Sequence, residues 1–66
     1  MNKNQIGNME HAIRNQNRFY TDANNKDWND LVEKGYATKR PGWDDKSAYF
    51  CPTSEGKAKL QELVGL

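Results

Sequence analysis

Apolar residues recur three and four positions apart in three stretches of this chain, and each stretch is framed by residues that start or stop helices. In the first, residues 4 to about 15, Ile6, Met9 and Ile13 form one amphipathic stripe. Asn2 or Asn4 can cap it, and Gly7 inside it costs about 1 kcal/mol relative to alanine. Residues 15–25 are polar and turn-rich, broken only by Phe19 and Tyr20, so this segment reads as a connection that two aromatics pin onto the core. The run "NNKDWNDLVEKG" then predicts a short helix capped by Asn24 or Asn25. Asp27 and Asp30 suit its positive end, while Trp28, Leu31 and Val32 share a face. Lys34 lies in its last turn, and Gly35 is placed as the left-handed terminator.

Beyond Gly35, "YATKR" reads as a strand and "SAYFC" as its return partner. Pro41-Gly42 between them predicts a type II turn, with proline presetting the first central dihedral and glycine supplying the positive one. Pro52 ends the return strand or marks an edge. Thr53 caps a final helix, Glu55 complements its N-terminus, and Leu60, Leu63 and Val64 make its stripe. The expected fold is a small α+β domain in the order helix, helix, β-hairpin, helix, occupying residues 1–66 as one domain. Its expected core is Ile6, Met9, Ile13, Phe19, Trp28, Leu31, Val32, Ala37, Phe50, Leu60, Leu63 and Val64.

Composition sharpens this picture. At 66 residues, with 35% hydrophobic and 29% charged side chains, the chain builds a thin core inside a polar shell. Its seven aromatics (two Trp, three Tyr, two Phe) are the largest available source of buried area. Mean hydropathy is −1.14, and no apolar run approaches a membrane span or signal peptide, so the expected setting is reduced and cytoplasmic. One cysteine, Cys51, excludes an intramolecular disulfide. A net charge of +1 and a pI of about 7.9 argue against non-specific coating of nucleic acid, and leave room for a local basic face.

The segments "LVEKGYATKR" and "YFCPTSEGKAKL" resemble the C-terminal half of winged-helix DNA-binding domains of the MarR-like kind. In that family a helix ending in "EKG" leads into the first wing strand, and the second strand runs into a "T-x-E-G-K/R" helix start. The matching residues are Leu31, Glu33, Lys34, Gly35, Lys39, Arg40, Thr53, Glu55, Gly56 and Lys57, within Trp28 to Leu63. The order of "IGNMEHAI", "RFYT", "DWNDLVEKGYATKR" and "YFCPTSEGK" also resembles small proteins of bacteriophages and prophages. The winged-helix resemblance implies a recognition helix, a wing, and a second copy of the chain paired through the terminal helix as a homodimer. It also implies a helix before the recognition helix, for which "NQNRFYTDAN" would stand as a degenerate turn.

Catalytic chemistry finds little footing. His11 and Cys51 are the single representatives of their types, and neither sits in a nucleophile motif. His11 reads as solvent-facing and Cys51 as core. Two such residues cannot close a zinc site. The calcium-like offsets in "DANNKDWNDLVE" fail, because Lys26 takes a ligand position and Asp27 stands where glycine is needed. Gly35, Gly42 and Gly56 are isolated and form no phosphate loop. The expectation is no enzyme, no cofactor and no metal.

Binding is better served. Asn24, Asn25, Lys26 and Asn29 would line the exposed face of a recognition-like helix, where Asn reads adenine and Lys reads guanine or phosphate. Lys39, Arg40 and Lys46 flank the hairpin tip, with Arg14 and Arg18 as additions, and suit backbone phosphates. The plainer alternative is a solvated helix face with scattered cations. Asp27, Asp30, Asp44 and Asp45 oppose a DNA partner. Trp43 beside the Pro-Gly turn, extended by Tyr36 and Tyr49, is a candidate protein-binding hot spot; its plainer alternative is a tryptophan folded back onto the tyrosines. The chain therefore reads as a non-enzymatic binding module of phage or prophage type, winged-helix-like and either DNA-binding or regulatory. The alternative is a protein-binding accessory factor, such as an inhibitor of a host defence or replication protein.

Overall fold

The computed structural model describes residues 1–65. Its elements are α1 (Lys3–Arg14), β1 (Phe19–Asp22), α2 (Lys26–Glu33), β2 (Ala37–Pro41), β3 (Ser47–Pro52) and α3 (Ser54–Val64). Helix α1 starts at a capping box: the Asn2 side chain accepts from the Gln5 N–H at 2.8 Å, and Gln5 Oε1 accepts from the Asn2 N–H at 2.9 Å. The same Gln5, only 3% exposed, donates its amide to the Asp27 carbonyl at 3.1 Å and to Asp30 Oδ2 at 2.8 Å. One side chain thus caps α1 and fastens it to α2.

Residues 15–25 depart from the expectation of a polar connection. They are not merely a pinned connection, because Phe19–Asp22 forms strand β1, which pairs antiparallel with β3. The chain turns into it through two consecutive left-handed residues, Gln16 (φ 64°) and Asn17 (φ 59°), and the Asn17 amide donates to the Pro52 carbonyl at 3.1 Å. The sheet is three-stranded with order β1-β3-β2, so the expected hairpin is two thirds of a larger sheet.

Central strand β3 alternates: Ala48, Phe50 and Pro52 are buried, while Ser47, Tyr49 and Cys51 are half-buried on the other face. Helices α1 and α3 pack on β3, and α2 on β2. Trp28 of α2 is the centre of the core, its ring 5.4 Å from Phe19 and 5.5 Å from Phe50. Met9, Ala12, Leu31, Ala37, Ala48 and Leu60 complete the buried set, with Ile6, Phe19 and Val32 partly covered against it. Ile13, Leu63 and Val64, expected inside, are 36%, 43% and 38% exposed. Eleven residues of α3 extend about 16 Å, and the buried contacts of the helix are confined to Gly56 and Leu60 in its first two turns. Cys51, also expected in the core, lies half-buried on the helix-free face.

Two joints fix the helices around the sheet. Gly35 (φ 84°) ends α2 with a Schellman pattern, Tyr36 N–H to Leu31 O at 2.9 Å and Gly35 N–H to Val32 O at 3.0 Å. The Thr53 hydroxyl accepts from the Gly56 N–H at 3.0 Å and donates to the Gly35 carbonyl at 2.8 Å, so the cap of α3 also grips the end of α2. Gly56 permits this approach, since a Cβ there would collide with the Tyr36 carbonyl oxygen.

The expected type II turn at Pro41-Gly42 is absent. Pro41 is the last residue of edge strand β2, opposite Ala48, and Gly42 does not take a positive φ. The Gly42 N–H instead bonds the Ser47 carbonyl at 3.0 Å, closing a loop over residues 43–46. Glycine serves here because a Cβ would lie 2.8 Å from that same carbonyl oxygen.

Candidate functional site

Strand alternation and register decide what meets on the sheet face that carries no helix. Tyr20 of β1 is directly opposite Tyr49 of β3, and Tyr49 is directly opposite Arg40 of β2. Residues facing one another across an antiparallel pair stand on one side of the sheet. The two tyrosine rings lie 4.7 Å apart, and the Arg18 guanidinium sits 5.8 Å from the Tyr49 ring centroid. From the tip of the hairpin, Trp43 donates its indole N–H to the Tyr49 hydroxyl at 3.1 Å while remaining 87% exposed. Arg18, Tyr20, Tyr49, Arg40 and Trp43 therefore form one surface. Tryptophan is tethered at its polar edge, and its hydrocarbon stays in water.

This arrangement answers the two readings of Trp43 together. The indole does reach back to a tyrosine, and it is still not covered. Tyr36, expected to extend the patch, does not join it: it lies at the far end of β2 from the tip and packs against the core. Tyr20 takes its place, 45% exposed. The sequence signal for Tyr20 is the Phe-Tyr-Thr-Asp alternation, which becomes legible once β1 is recognised as a strand.

The residues expected to read nucleic acid are divided. Asn25 caps α2, accepting from the Trp28 N–H at 3.0 Å. Asn29 donates to the Ala23 carbonyl at 2.9 Å, and the Lys39 ammonium donates to that same carbonyl at 2.8 Å and to Asn29 Oδ1 at 3.1 Å. These three polar groups hold the β1–α2 junction against β2. Lys39 lies opposite Phe50 and faces α2. Arg40, one position on, points to the opposite side. Lys46 adjoins this junction through its backbone carbonyl, which accepts from the Ala23 N–H at 2.8 Å, and neither Lys26 nor Lys46 is in an ion pair among the described residues.

Acidic groups accompany the remaining cations. A shallow cavity of about 440 Å³ near the tip is lined by Lys39 and Arg40 together with Asp44 and Asp45. On α2, Asp30 is bound by Gln5 and by Lys34, whose Nζ is 3.0 Å from Asp30 Oδ2. The Gln5 amide, then Lys34, hold the Asp30 carboxyl below the ordinary aspartate range, so it stays charged beside any approaching phosphate. His11 is exposed, edge-on to Phe19 at 5.4 Å.

Comparison with protein-family models, curated proteins and solved structures gives no match. Among the described residues, no group of three His, Cys, Asp or Glu side chains is placed to hold a metal ion. None of the described helices is long and apolar enough to cross a membrane.

Proposed function

We propose that this chain is a non-enzymatic binding module that engages a protein partner through the helix-free sheet face, with Trp43 as the central anchor. The observation that carries this reading is a tryptophan 87% exposed yet oriented by a hydrogen bond to Tyr49. Trp, Tyr and Arg dominate the energetics of protein interfaces, and this face consists of Trp43, Tyr49, Tyr20, Arg18 and Arg40. Orienting the indole beforehand reduces the ordering cost on association. Asp44 and Asp45 next to Trp43 give the rim both signs of charge, which suits a protein surface better than a phosphate backbone. In this reading the chain is a protein-binding accessory factor, for example an inhibitor of a host defence or replication protein, and the near balance of charge supports it.

The second reading is a winged-helix-like DNA-binding regulator. It is supported by the β2–β3 hairpin between α2 and α3, by β1 joining the sheet beside β3, and by Lys26, Arg40 and Lys46, which are in no ion pair among the described residues. It is weakened by the β1–α2 connection: residues 23–25 are too few for a helix preceding α2, so a helix-turn-helix is not formed. Asn25 and Asn29, its base readers, are also engaged within the fold.

Capture from host lysate with immobilised protein separates the two. The protein reading expects a partner that survives nuclease and is lost with Trp43→Ala, at a cost of at least about 2 kcal/mol, roughly 30-fold. Capture that vanishes with nuclease, or binding to duplex DNA whose salt slope is reduced by Arg40→Ala, selects the DNA reading instead.

A further inference from the structure

The two edges of the sheet are not equivalent. The Ala23 N–H bonds the Lys46 carbonyl at 2.8 Å, and this fixes the phase of the β1–β3 ladder. In an antiparallel pair, alternate residues turn their backbone groups toward the neighbouring strand. Thr21 and Phe19, two and four positions before Ala23, therefore aim theirs at β3. Arg18, Tyr20 and Asp22 aim theirs away from the sheet, and all three residues are exposed. Of these outward groups, the Asp22 carbonyl alone has a backbone partner among the described residues, the Asn25 N–H at 3.0 Å.

The other edge is closed by its own sequence. The Gly42 N–H bonds the Ser47 carbonyl, so the outward groups of β2 belong to Ala37, Lys39 and Pro41. Pro41 has no N–H to offer, and Ala37 is packed into the core at 4% exposure. Proline blunts a sheet edge, and β1 has none.

The side chains of Arg18, Tyr20 and Asp22 share the helix-free face. The Tyr20 ring lies against Tyr49, which in turn holds Trp43. A strand added beside β1 would set its own alternate side chains opposite these three residues. Neither Arg18 nor Asp22 is in an ion pair among the described residues. The complementary segment therefore carries a carboxylate opposite Arg18, a cation opposite Asp22 and a β-branched side chain opposite Tyr20.

We infer that β1 is the docking edge for an extended segment of the partner protein, which adds antiparallel to the sheet beside Tyr20. This rests on the reading of the helix-free face as a partner surface, and it specifies how the partner enters that face. Main-chain bonds to Arg18, Tyr20 and Asp22 supply affinity, and the alternate side chains supply specificity. From its amino end the segment reads cation, any residue, β-branched, any residue, carboxylate. Strand β1 meets that pattern against a second copy of itself. The engaged Asp22 carbonyl would cut such a self-pair at both ends, whereas it cuts the ladder to a partner at one end only.

Amide hydrogen exchange of the full chain, followed by NMR with the peptide acetyl-Thr-Lys-Thr-Val-Thr-Glu-Thr-amide as probe, tests this. In the free protein the Tyr20 and Asp22 amides should exchange at least about tenfold faster, relative to their intrinsic rates, than those of Thr21 and Ala23. Equal protection in a monomer overturns the open edge. Peptide added to about 5 mM should shift the Tyr20 and Asp22 amide signals and slow their exchange, with a Kd on the order of 1 mM. Unchanged signals overturn the inference. N-methylation of the peptide valine removes the N–H that pairs with the Tyr20 carbonyl and should weaken binding about fivefold. Exchanging the peptide Lys and Glu should weaken it about threefold. Undiminished binding of the N-methylated peptide overturns the strand geometry. Protection of Tyr20 that rises with protein concentration, without peptide, assigns the edge to a second copy and overturns the partner assignment. Trp43→Ala should leave the peptide response of Tyr20 intact. An unresponsive β1 edge therefore sinks the strand addition alone, and capture from lysate that is indifferent to Trp43→Ala sinks the proposed anchor alone.

Discussion

The Trp43 indole N–H and the Tyr49 hydroxyl oxygen meet at 3.1 Å, and this bond joins the loop at the hairpin tip to the middle of the central strand. It gives the exposed tryptophan a defined direction. The other tryptophan, Trp28, is fully buried. The two should therefore separate cleanly by fluorescence quenching. Acrylamide should quench a red-shifted component that Trp43→Phe removes, leaving blue-shifted Trp28 emission that resists it. Tyr49→Phe should keep Trp43 quenchable and lower its fluorescence anisotropy, with a stability change within about 0.5 kcal/mol. Unchanged anisotropy in that variant would mean that the hydrogen bond does not orient the indole.

Gly56→Ala should be the most damaging single-methyl change in the chain. Its Cβ would collide with the Tyr36 carbonyl oxygen and stand 2.9 Å from Met9 Cε. The Met9 methyl can swing aside, but the Tyr36 backbone is held in place by its bonds to Leu31 and Thr53. Overpacking of this kind costs about 3 kcal/mol, against a total on the order of 3–5 kcal/mol for a domain this small. Urea denaturation should show a midpoint moved to low urea, with only about 0–2 kcal/mol of stability remaining. A melting temperature close to that of the parent would mean that α3 can lift away from Tyr36 at little cost.

Gln16→Gly should stabilise the fold. Glutamine at φ 64° occupies a left-handed conformation that glycine reaches without steric penalty. The gain should be about 0.5–1 kcal/mol after the larger chain entropy of glycine is subtracted. Asn17→Gly should gain less, because the bond it removes, from its amide to the Pro52 carbonyl, is partly buried, whereas the bond lost with Gln16, from Arg18 to Gln16 Oε1 at 2.8 Å, is exposed. Thermal melts of the two variants give the comparison directly.

Acid should weaken the α1–α2 contact through Asp30. Its folded-state carboxyl titrates below the ordinary aspartate value of about 3.9, chiefly because the Gln5 amide and then Lys34 favour the charged form. Its contribution is present above the unfolded-state value and is lost as pH falls through the lowered folded-state value. Stability should decline in that window, and Asp30→Asn should flatten the decline while lowering stability near neutrality. An identical acid limb in parent and variant would assign the effect to other carboxylates.

Much of the fold was legible in single residues. Asn2, Asn25, Thr53 and Gly35 act as the caps and the terminator that their chemistry predicts, since a cap depends on local hydrogen bonds and dihedral preference. The stripe of α2 was equally legible, and Trp28 and Leu31 are buried on one face. Strand β1 was not. Four residues with adjacent aromatics carry little periodic signal, and pairing with β3, twenty-five or more positions away, is what makes them a strand. Pro41-Gly42 looked like a turn from local preference, and the register of β2 on β3 placed the loop later in the chain.

The candidate site divides along the same line. Residue type alone singled out Trp43, Tyr49 and Arg40 as chemistry suited to recognition, and it marked the four aspartates as obstacles to a phosphate partner. Only the sheet register could place Tyr20, Tyr49 and Arg40 in one row, and only packing could turn Lys39 and Asn29 inward as ties between α2 and β2. The same applies to Ile13, Leu63 and Val64, whose periodicity predicted burial. Periodicity states that residues share a face; it does not state whether another element is long enough to cover that face. In this chain α3 extends beyond its buried contacts, and the tertiary structure leaves that end of its apolar stripe at the surface.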